Sequence, residues 1–245
     1  MAGLAIIGGT GLATLDGLEV SRREAADTPY GRPSAPLVHG RYAGAELVFL
    51  ARHGEAHTLP PHRVNYRANL WALKDTGVDR VIAVASVGGI SARMDPGHLV
   101  FPDQIIDYTH GRHQTFYDEE QQQFVHIDFT QPYDAALRAE LLAVAGRAQV
   151  KYVSSGTYGA VQGPRFETAA EIRRMEKDGC DMVGMTGMPE AALARELKLA
   201  YACCGVISNW AAGKSSDSIH REMDTYLKQG MAQLRLLLEA LLREG

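Results

Sequence analysis

The stretch LAIIGGTGL, residues 4–12, decides the fold class, because it is a short apolar run that ends abruptly in glycines. Two later stretches have the same form, LVFLARHG at 47–54 and VIAVASVGG at 81–89. Continuous apolar runs of this kind are typical of strands that are buried on both faces of a sheet. Since helical patterns lie between such runs, the sequence predicts an α/β protein whose central sheet is covered on both faces.

Apolar periodicity places the remaining elements. Strands are predicted at 4–7, 46–51, 80–87, 99–108, 151–158, 181–185 and 201–208, and helices at 64–74, 133–148, 168–177, 189–196 and 224–243. No internal repeat and no low-complexity linker divides the chain. We therefore expect residues 1–245 to form a single domain.

Composition excludes several classes of function. Lys and Arg number 25 against 29 Asp and Glu, a formal net charge of −4, which argues against a nucleic-acid partner because polyanion binding needs clustered cations. No run approaches the ~18 apolar residues of a membrane span, and the first residues lack the basic region of a signal peptide. An odd number of cysteines, 3, makes structural disulfides unexpected and favours the cytoplasm.

The ends of the first strands carry small or polar residues that suit an anion. Thr10 follows the first strand, and Arg52 and His53 follow the second. Ligands of open α/β sheets lie beyond the carboxyl ends of strands, and a guanidinium suits phosphate, to which the imidazole adds a donor. The alternatives are a tight turn at GGTG and a solvated Arg-His edge. GGTG is not a dinucleotide fingerprint, because Thr14 stands at the third glycine position.

Metal and nucleophile sites are not expected. His53, His57 and His62 have no Cys or paired carboxylate at ligand spacing, and Pro60-Pro61 breaks any helix that would align the last two. No GxSxG motif is present.

Three segments later in the chain hold candidates for binding a planar ligand. In GPRFE at 163–167, Phe166 could stack on a ring and Glu167 could accept an N–H, although Glu167 is equally a favourable first-turn acid. In MTGMPE at 185–190, the alternatives to a binding role are that Met185 is a core residue and that Thr186 is a turn residue. In SNWAAG at 208–213, Asn209 is open to a turn role.

Taken together, these motifs resemble the trimeric purine nucleoside phosphorylase and methylthioadenosine phosphorylase family. The resemblance is carried by IIGGTGL, DTPYGRPS (27–34), LARHGEAHTLPPHRVNYRANLWALK (50–74), VGG (87–89), QGPRFETAAE (162–171) and DMVGMTGMPEAALARELKLAYA (181–202). NYRANLWALK and MTGMPEAALAREL are most similar to the bacterial S-methyl-5′-thioinosine branch. The resemblance implies a mixed central β-sheet, partly barrel-like and flanked by helices.

The resemblance also implies a site, position by position. Phosphate would be held by Thr10, Arg52, His53, Ser86 and Thr186. The nucleoside would contact Phe166, Glu167, Met185, Asn209, Ala211, His220 and Met223. His126 would enter from a neighbouring subunit, which implies a homotrimer and leaves a hexamer open. The partners are a nucleoside and inorganic phosphate as co-substrate, with no other cofactor.

Two positions bear on the substrate. Methylthioadenosine phosphorylases carry Asp at the position of Asn209 and Ser at that of Glu167. An Asn amide can donate to O6 and N7 of a 6-oxopurine, and Glu167 can accept from its N1–H. We therefore expect Asn209 and Glu167 to be catalytic and the reaction to be phosphorolysis of 6-oxopurine nucleosides in purine salvage.

The residues expected beside the 5′ carbon of the sugar are consistent with two alternative substrates. If Ile219 and Met223 face the site, S-methyl-5′-thioinosine is preferred, and if His220 faces it, inosine and guanosine are good substrates. His220 is equally a polar first-turn residue. Methylthioadenosine ranks below both. A ligand-binding module without turnover and a nucleoside hydrolase that uses water are the rival classes.

Overall fold

The structure, a computed structural model, describes residues 3–118 and 124–244 as a mixed sheet flanked by helices. The strands are β1 (Gly3–Gly8), β2 (Glu19–Glu24), β3 (Leu37–Tyr42), β4 (Ala45–Ala51), β5 (Val78–Gly89), β6 (Leu99–Val100), β7 (Gln104–Asp107), β8 (Tyr152–Val153), β9 (Thr157–Ala160), β10 (Met182–Gly184) and β11 (Ala200–Trp210). The helices are α1 (Tyr66–Asp75), α2 (Ala135–Arg147), α3 (Ala169–Lys177), α4 (Gly187–Glu196) and α5 (Ile219–Glu244).

The sheet is ordered β2-β3-β4-β1-β5-β10-β9-β7, and it branches at β5, which also pairs with β11. β1, β4, β5 and β11 run parallel, so their carboxyl ends meet at one edge. β10 runs antiparallel to β5, with Met182 opposite Gly89 and Val183 opposite Gly88. The residues after β10 therefore return towards the middle of β5.

The apolar strands form the core between two layers of helices. One cluster joins β1, β4 and β5 to α1 and α4 through residues such as Ile7, Leu70 and Leu193. A second joins the other face of the same strands to α2 and α5 through residues such as Ile82 and Leu238. Both faces of the central strands are covered, as the continuous apolar runs predict.

Helix boundaries follow local capping chemistry. The Asn65 and Asp134 side chains accept the N–H of Ala68 and Leu137, and Thr168 forms a reciprocal capping box with Glu171. In α4, Met188 is extended (φ −119°, ψ 141°), so regular helix begins at Pro189, as predicted. α5 begins at Ile219, earlier than the predicted 224.

Two features of the sheet differ from the sequence prediction. The sequence does not predict β2 and β3, because neither EVSRRE nor LVHGRY is a continuous apolar run. In the structure β2 is almost wholly exposed and β3 is buried over only part of its length. The predicted strand at 99–108 is two strands, β6 on β11 and β7 on β9, and the one at 151–158 is likewise β8 and β9. Pro102 lacks the N–H that a continuous ladder requires, which explains the first interruption.

None of the helices within the described ranges has both the length and the apolar character of a membrane span. Cys180, Cys203 and Cys204 are buried free thiols.

Candidate functional site

A cavity of about 460 Å³ opens where the parallel strands end. It is lined by Gly9, Thr10, Arg52, His53, His57, Thr58, Leu59, Pro60, Pro61, Ala85, Ser86, Val87, Gly88, Pro164, Phe166, Glu167, Val183, Gly184, Met185, Thr186, Ser208, Asn209 and Met223. A volume of this size suits a small-molecule ligand. The loops after β1, β4, β9 and β10 and the ends of β5 and β11 all contribute.

Most of the predicted site residues line this cavity. They are Thr10, Arg52, His53, Ser86, Phe166, Glu167, Met185, Thr186, Asn209 and Met223. Ala211 does not line it, because it is 2% exposed and packs in the cluster around Ile90 and Val183. His220 does not line it either: its ring lies edge-on to Phe166, with centroids 5.7 Å apart. His126 is exposed beside Phe124 and does not line the cavity.

Arg52 is anchored by a carboxylate that the sequence analysis missed. Its Nε and Nη2 donate to the two carboxylate oxygens of Glu190 at 2.7 and 2.8 Å, and Nη1 donates to the Val84 carbonyl at 2.7 Å. Both side chains are 1% exposed. Three of the five guanidinium N–H groups are thereby used, which leaves two for a ligand.

The pair cancels the positive charge of the cavity. Burial alone would lower the pKa of Arg52, but the Glu190 carboxylate raises it above its ordinary value, so Arg52 stays charged. The Tyr201 hydroxyl also donates to Glu190, at 2.8 Å. An anion at this site therefore meets oriented donors around a cation that is already paired.

His53 is neutral and is a hydrogen-bond acceptor at Nε2. Burial first, and then the charge of Arg52, lower its pKa from 6.5 to about 4. Its Nδ1 lies 2.8 Å from the Leu59 carbonyl oxygen, which can only accept, so Nδ1 carries the proton. In this neutral form the imidazole offers an acceptor to the cavity, whereas the sequence predicts a donor.

A chain of hydroxyl groups orients Asn209. Ser86 Oγ donates to Ser208 Oγ at 2.7 Å, and Ser208 Oγ donates to Asn209 Oδ1 at 2.8 Å. Asn209 Nδ2 gives one proton to the Trp210 carbonyl at 2.8 Å, so its second N–H remains for a ligand. Ser86, expected on phosphate, thus uses its proton within this chain.

The other wall of the cavity is the loop before α3. The capping box at Thr168 fixes the start of α3, and Glu167 stands just before it on the cavity wall. Burial raises the pKa of Glu167 above its ordinary value. Desolvation disfavours the charged form, and a hydrogen bond from a ligand N–H would stabilise the carboxylate.

Close backbone approach requires glycine at one position of the wall and leaves little room for a Cβ at a second. A Cβ on Gly9 would lie 2.7 Å from the Val84 oxygen and 3.0 Å from Arg52 Nη1. A Cβ on Gly88 would lie 3.2 Å from Asn209 Nδ2. These glycines let the strand ends pack against the two polar side chains at the floor of the cavity.

In the part of the chain that the structure describes, no group of three or more His, Cys, Asp or Glu side chains is placed to hold a metal ion. His53 and His57 do lie together, with ring centroids 4.9 Å apart.

The sequence profile of the Phosphorylase superfamily matches residues 4–243. A Pseudomonas syringae protein described as "Probable S-methyl-5'-thioinosine phosphorylase" is 51% identical over 239 residues, which cover 97% of this chain and 97% of that protein. The 6-oxopurine nucleoside phosphorylase of Pyrococcus furiosus is 44% identical over 248 residues, covering 98% and 92%. A crystal structure of a mutant adenosine/methylthioadenosine phosphorylase from Schistosoma mansoni, in complex with methylthioadenosine, superposes with a TM-score of 0.92 at 30% identity, covering 99% and 91%.

Proposed function

The chain belongs to the phosphorylase superfamily, and we propose that it cleaves S-methyl-5′-thioinosine with phosphate to give hypoxanthine and 5-methylthioribose 1-phosphate. At the coarser level it is a pentosyltransferase that phosphorolyses 6-oxopurine nucleosides, in agreement with relatives of that description over most of the chain. The finer choice of substrate is supported by the residues of the cavity.

The observation that carries the choice of base is the orientation of Asn209. Ser208 occupies Oδ1 of the amide, so the group left for a ligand is an N–H donor. A 6-oxopurine presents acceptors at both O6 and N7, whereas a 6-aminopurine presents a donor at C6. A donor aimed at N7 also stabilises the negative charge that develops on the departing purine.

Glu167 complements the same base on its other edge. In the proposed complex its carboxylate accepts the N1–H of the 6-oxopurine, and Phe166 lies against the ring. The N1 atom of a 6-aminopurine has no proton, so the half-buried carboxylate would face a lone pair instead. Both base-site residues thus favour the 6-oxo form.

In the proposed phosphate subsite, Thr10, Thr186 and the two remaining N–H groups of Arg52 donate to the anion. HPO₄²⁻ also carries one hydroxyl, which can donate to Nε2 of His53. A phosphate oxygen forms the bond to C1′ as the C1′–N bond breaks, and the bonding pair leaves with the purine. The product ester is a dianion, so the phosphate O–H bond breaks and its proton passes, directly or through solvent, to the departing purine anion, which becomes neutral hypoxanthine. The attacking oxygen is that of phosphate, so no protein nucleophile is needed.

The 5′ group is the basis for choosing methylthioinosine over inosine or guanosine. Met223 lines the cavity, whereas Ile219 does not, and His220 lies outside the lining and against Phe166. An apolar thioether wall stabilises a methylthio group by about 1–2 kcal/mol, and gives a 5′-hydroxyl no hydrogen bond. Inosine and guanosine phosphorolysis remains the second candidate, favoured by the closeness of His220 to the mouth of the site.

The same proposal covers the assembly and compartment. We assign residues 1–245 to one nucleoside phosphorylase domain that forms a homotrimer, in which His126 of each subunit reaches a neighbouring cavity. Buried free thiols fit a reducing compartment, which supports a cytoplasmic enzyme of purine salvage that needs phosphate but no other cofactor.

The test is a comparison of kcat/KM with phosphate for methylthioinosine, inosine, guanosine and methylthioadenosine. We expect methylthioinosine to be first and methylthioadenosine to be last. A preference for methylthioadenosine would refute the base assignment, and equal values for inosine and methylthioinosine would refute the 5′ assignment.

The same assay without phosphate separates the rival classes. Purine release that does not need phosphate would indicate a hydrolase, and binding without any release would indicate a ligand-binding module. Either result would overturn phosphorolysis itself.

A further inference from the structure

Three neighbouring strands end together beside the cavity without a continuing backbone ladder. β7, β9 and β10 are parallel and end at Asp107, Ala160 and Gly184. The last backbone bonds between them are from Tyr108 N–H to the Ala160 carbonyl and from Val161 N–H to the Gly184 carbonyl, both 2.8 Å. Beyond this point the chain forms two walls of the site, the segment 161–167, which we call the base wall, and the segment 185–188.

A single side chain from the third strand end bridges these two walls. Arg112, in the loop after β7, donates through Nη2 to the carbonyls of Val161 and Gln162 at 3.2 and 2.8 Å. Through Nη1 it donates to the carbonyls of Met185 and Met188 at 2.9 and 2.6 Å. The planar fork of the guanidinium therefore takes the place of the missing ladder.

The loop that carries Arg112 is itself anchored. Glu196 of α4 accepts the Thr115 hydroxyl at 2.7 Å and the Phe116 N–H at 2.8 Å, and Phe116 is buried. Gln162 Oε1 accepts from Arg112 Nε at 3.1 Å. Arg112 is thus a fixed point and not a free surface arginine.

The two walls also touch each other directly under this bridge. Gly163 has φ +60°, and a Cβ there would lie 2.5 Å from Met185 Sδ. The sulfur of Met185 thus lies where a larger residue at 163 would place its Cβ, so the two walls are packed against each other here. The position of the base wall relative to the wall with Met185 and Thr186 therefore depends on the side chain that binds backbone carbonyls of both, which is Arg112.

From these contacts we propose that Arg112 is a positioning residue for the phosphorylase reaction, an inference that rests on the proposed function. It does not line the cavity. It fixes the base wall, with Phe166 and Glu167, against the wall that carries Met185 and Thr186. Both substrates are then held at the distance that attack on C1′ requires.

The test uses R112A, R112K and a matched control, R138A. Arg138 makes the same kind of contact away from the cavity, donating to the carbonyls of Pro102, Phe101 and Ser154 at 2.8, 3.0 and 2.9 Å. For each protein, kcat and KM are measured for methylthioinosine and for phosphate. The assays are repeated with guanidinium chloride well below unfolding concentrations, and with equal sodium chloride.

We expect R112A to lose about 10²-fold in kcat/KM, because a misplacement of about 1 Å has that effect on a reaction that depends on orientation. Guanidinium, but not sodium chloride, should restore part of the loss. R112K should be intermediate, since an ammonium keeps the charge and lacks the fork. R138A should be less stable, with kcat/KM close to wild type and no response to guanidinium.

Wild-type kcat/KM in R112A, or a loss that guanidinium does not reduce, would overturn the proposal. If R112A does not fold, R112K decides: a normal melting temperature with lowered kcat/KM supports the positioning role, and wild-type kcat/KM overturns it. A wild-type protein that releases no purine refutes the proposed function instead, which is a distinguishable result.

Discussion

Replacing Glu190 by Gln should destabilise the protein strongly in the absence of phosphate. The change keeps the shape of the side chain and removes its charge, leaving Arg52 as a buried cation without its counterion. Both groups are 1% exposed, and the carboxylate accepts from Nε and Nη2 of Arg52 at 2.7 and 2.8 Å. Removing one partner of such a pair costs about 3–5 kcal/mol of the free energy of unfolding.

The assay is urea and thermal unfolding of E190Q and wild type in phosphate-free buffer. A loss of this size corresponds to a fall of roughly 6–20 °C in melting temperature for a chain of this length. The matched control is E196Q on the same helix, α4. Glu196 accepts two hydrogen bonds, from the Thr115 hydroxyl and the Phe116 N–H, and we expect its loss to be about 1–3 kcal/mol.

Phosphate should reduce the difference in melting temperature between E190Q and wild type. In the variant, the cation of Arg52 faces the cavity uncompensated, so a bound dianion supplies the missing countercharge and raises the melting temperature of E190Q more than that of wild type. The reasoning is refuted if E190Q unfolds within about 1 kcal/mol of wild type, or if phosphate stabilises the two proteins equally.

Other predictions follow from single side chains. N209A should lower kcat about 10²–10³-fold with little change in KM, because the Asn209 donor acts on charge that develops at N7; a change in KM alone would assign the residue to ground-state binding. E167Q should shift the ratio of kcat/KM towards 6-aminopurine nucleosides, since an amide can donate to their unprotonated N1; an unchanged ratio would contradict this. M223A should lower kcat/KM about 10-fold for methylthioinosine and much less for inosine, and an equal fall for both would remove Met223 from the 5′ subsite. The pKa of His53 is 6.5 in the unfolded chain and about 4 in the folded protein, so the unfolded chain takes up the proton first as the pH falls. Between pH 7 and pH 4, the free energy of unfolding of wild type, measured by urea titration, should therefore fall by roughly 3 kcal/mol more than that of H53N. Equal pH dependence of the two proteins would contradict the lowered pKa.

The strand ends of the site could be predicted because local chemistry determines them. Thr10, Arg52 and Asn209 follow apolar runs whose burial on both faces left no alternative to a central strand. The capping box at Thr168 and the proline at 189 likewise place helix starts from a few adjacent residues. In each case the signal lies within one turn or one strand of the residue that it positions.

The partners of those residues could not be predicted, because they are distant in the chain. Glu190 is separated from Arg52 by 138 positions, and its sequence context is that of an ordinary acid in the first turn of a helix. Ser208 stands 122 positions from Ser86, and nothing in the sequence shows that the two hydroxyls meet. The one available signal was chemical: a buried arginine after a core strand requires a carboxylate, although the sequence does not say which one.

The pairing of Arg52 also bears on how the proposed subsite would bind a phosphate dianion in a chain of net charge −4. With Glu190 cancelling the guanidinium and His53 neutral, the proposed subsite offers hydrogen-bond geometry in place of net positive charge. The long-range electrostatic attraction of phosphate to the cavity is then weak. Selectivity for phosphate depends instead on hydrogen-bond donors that contact the anion once it is inside the cavity. Because buried pairs are screened little by salt, phosphate affinity should change little with ionic strength, unlike that of a site built on exposed lysines. Glu190 therefore sets the net charge of the subsite together with Arg52, although it does not line the cavity.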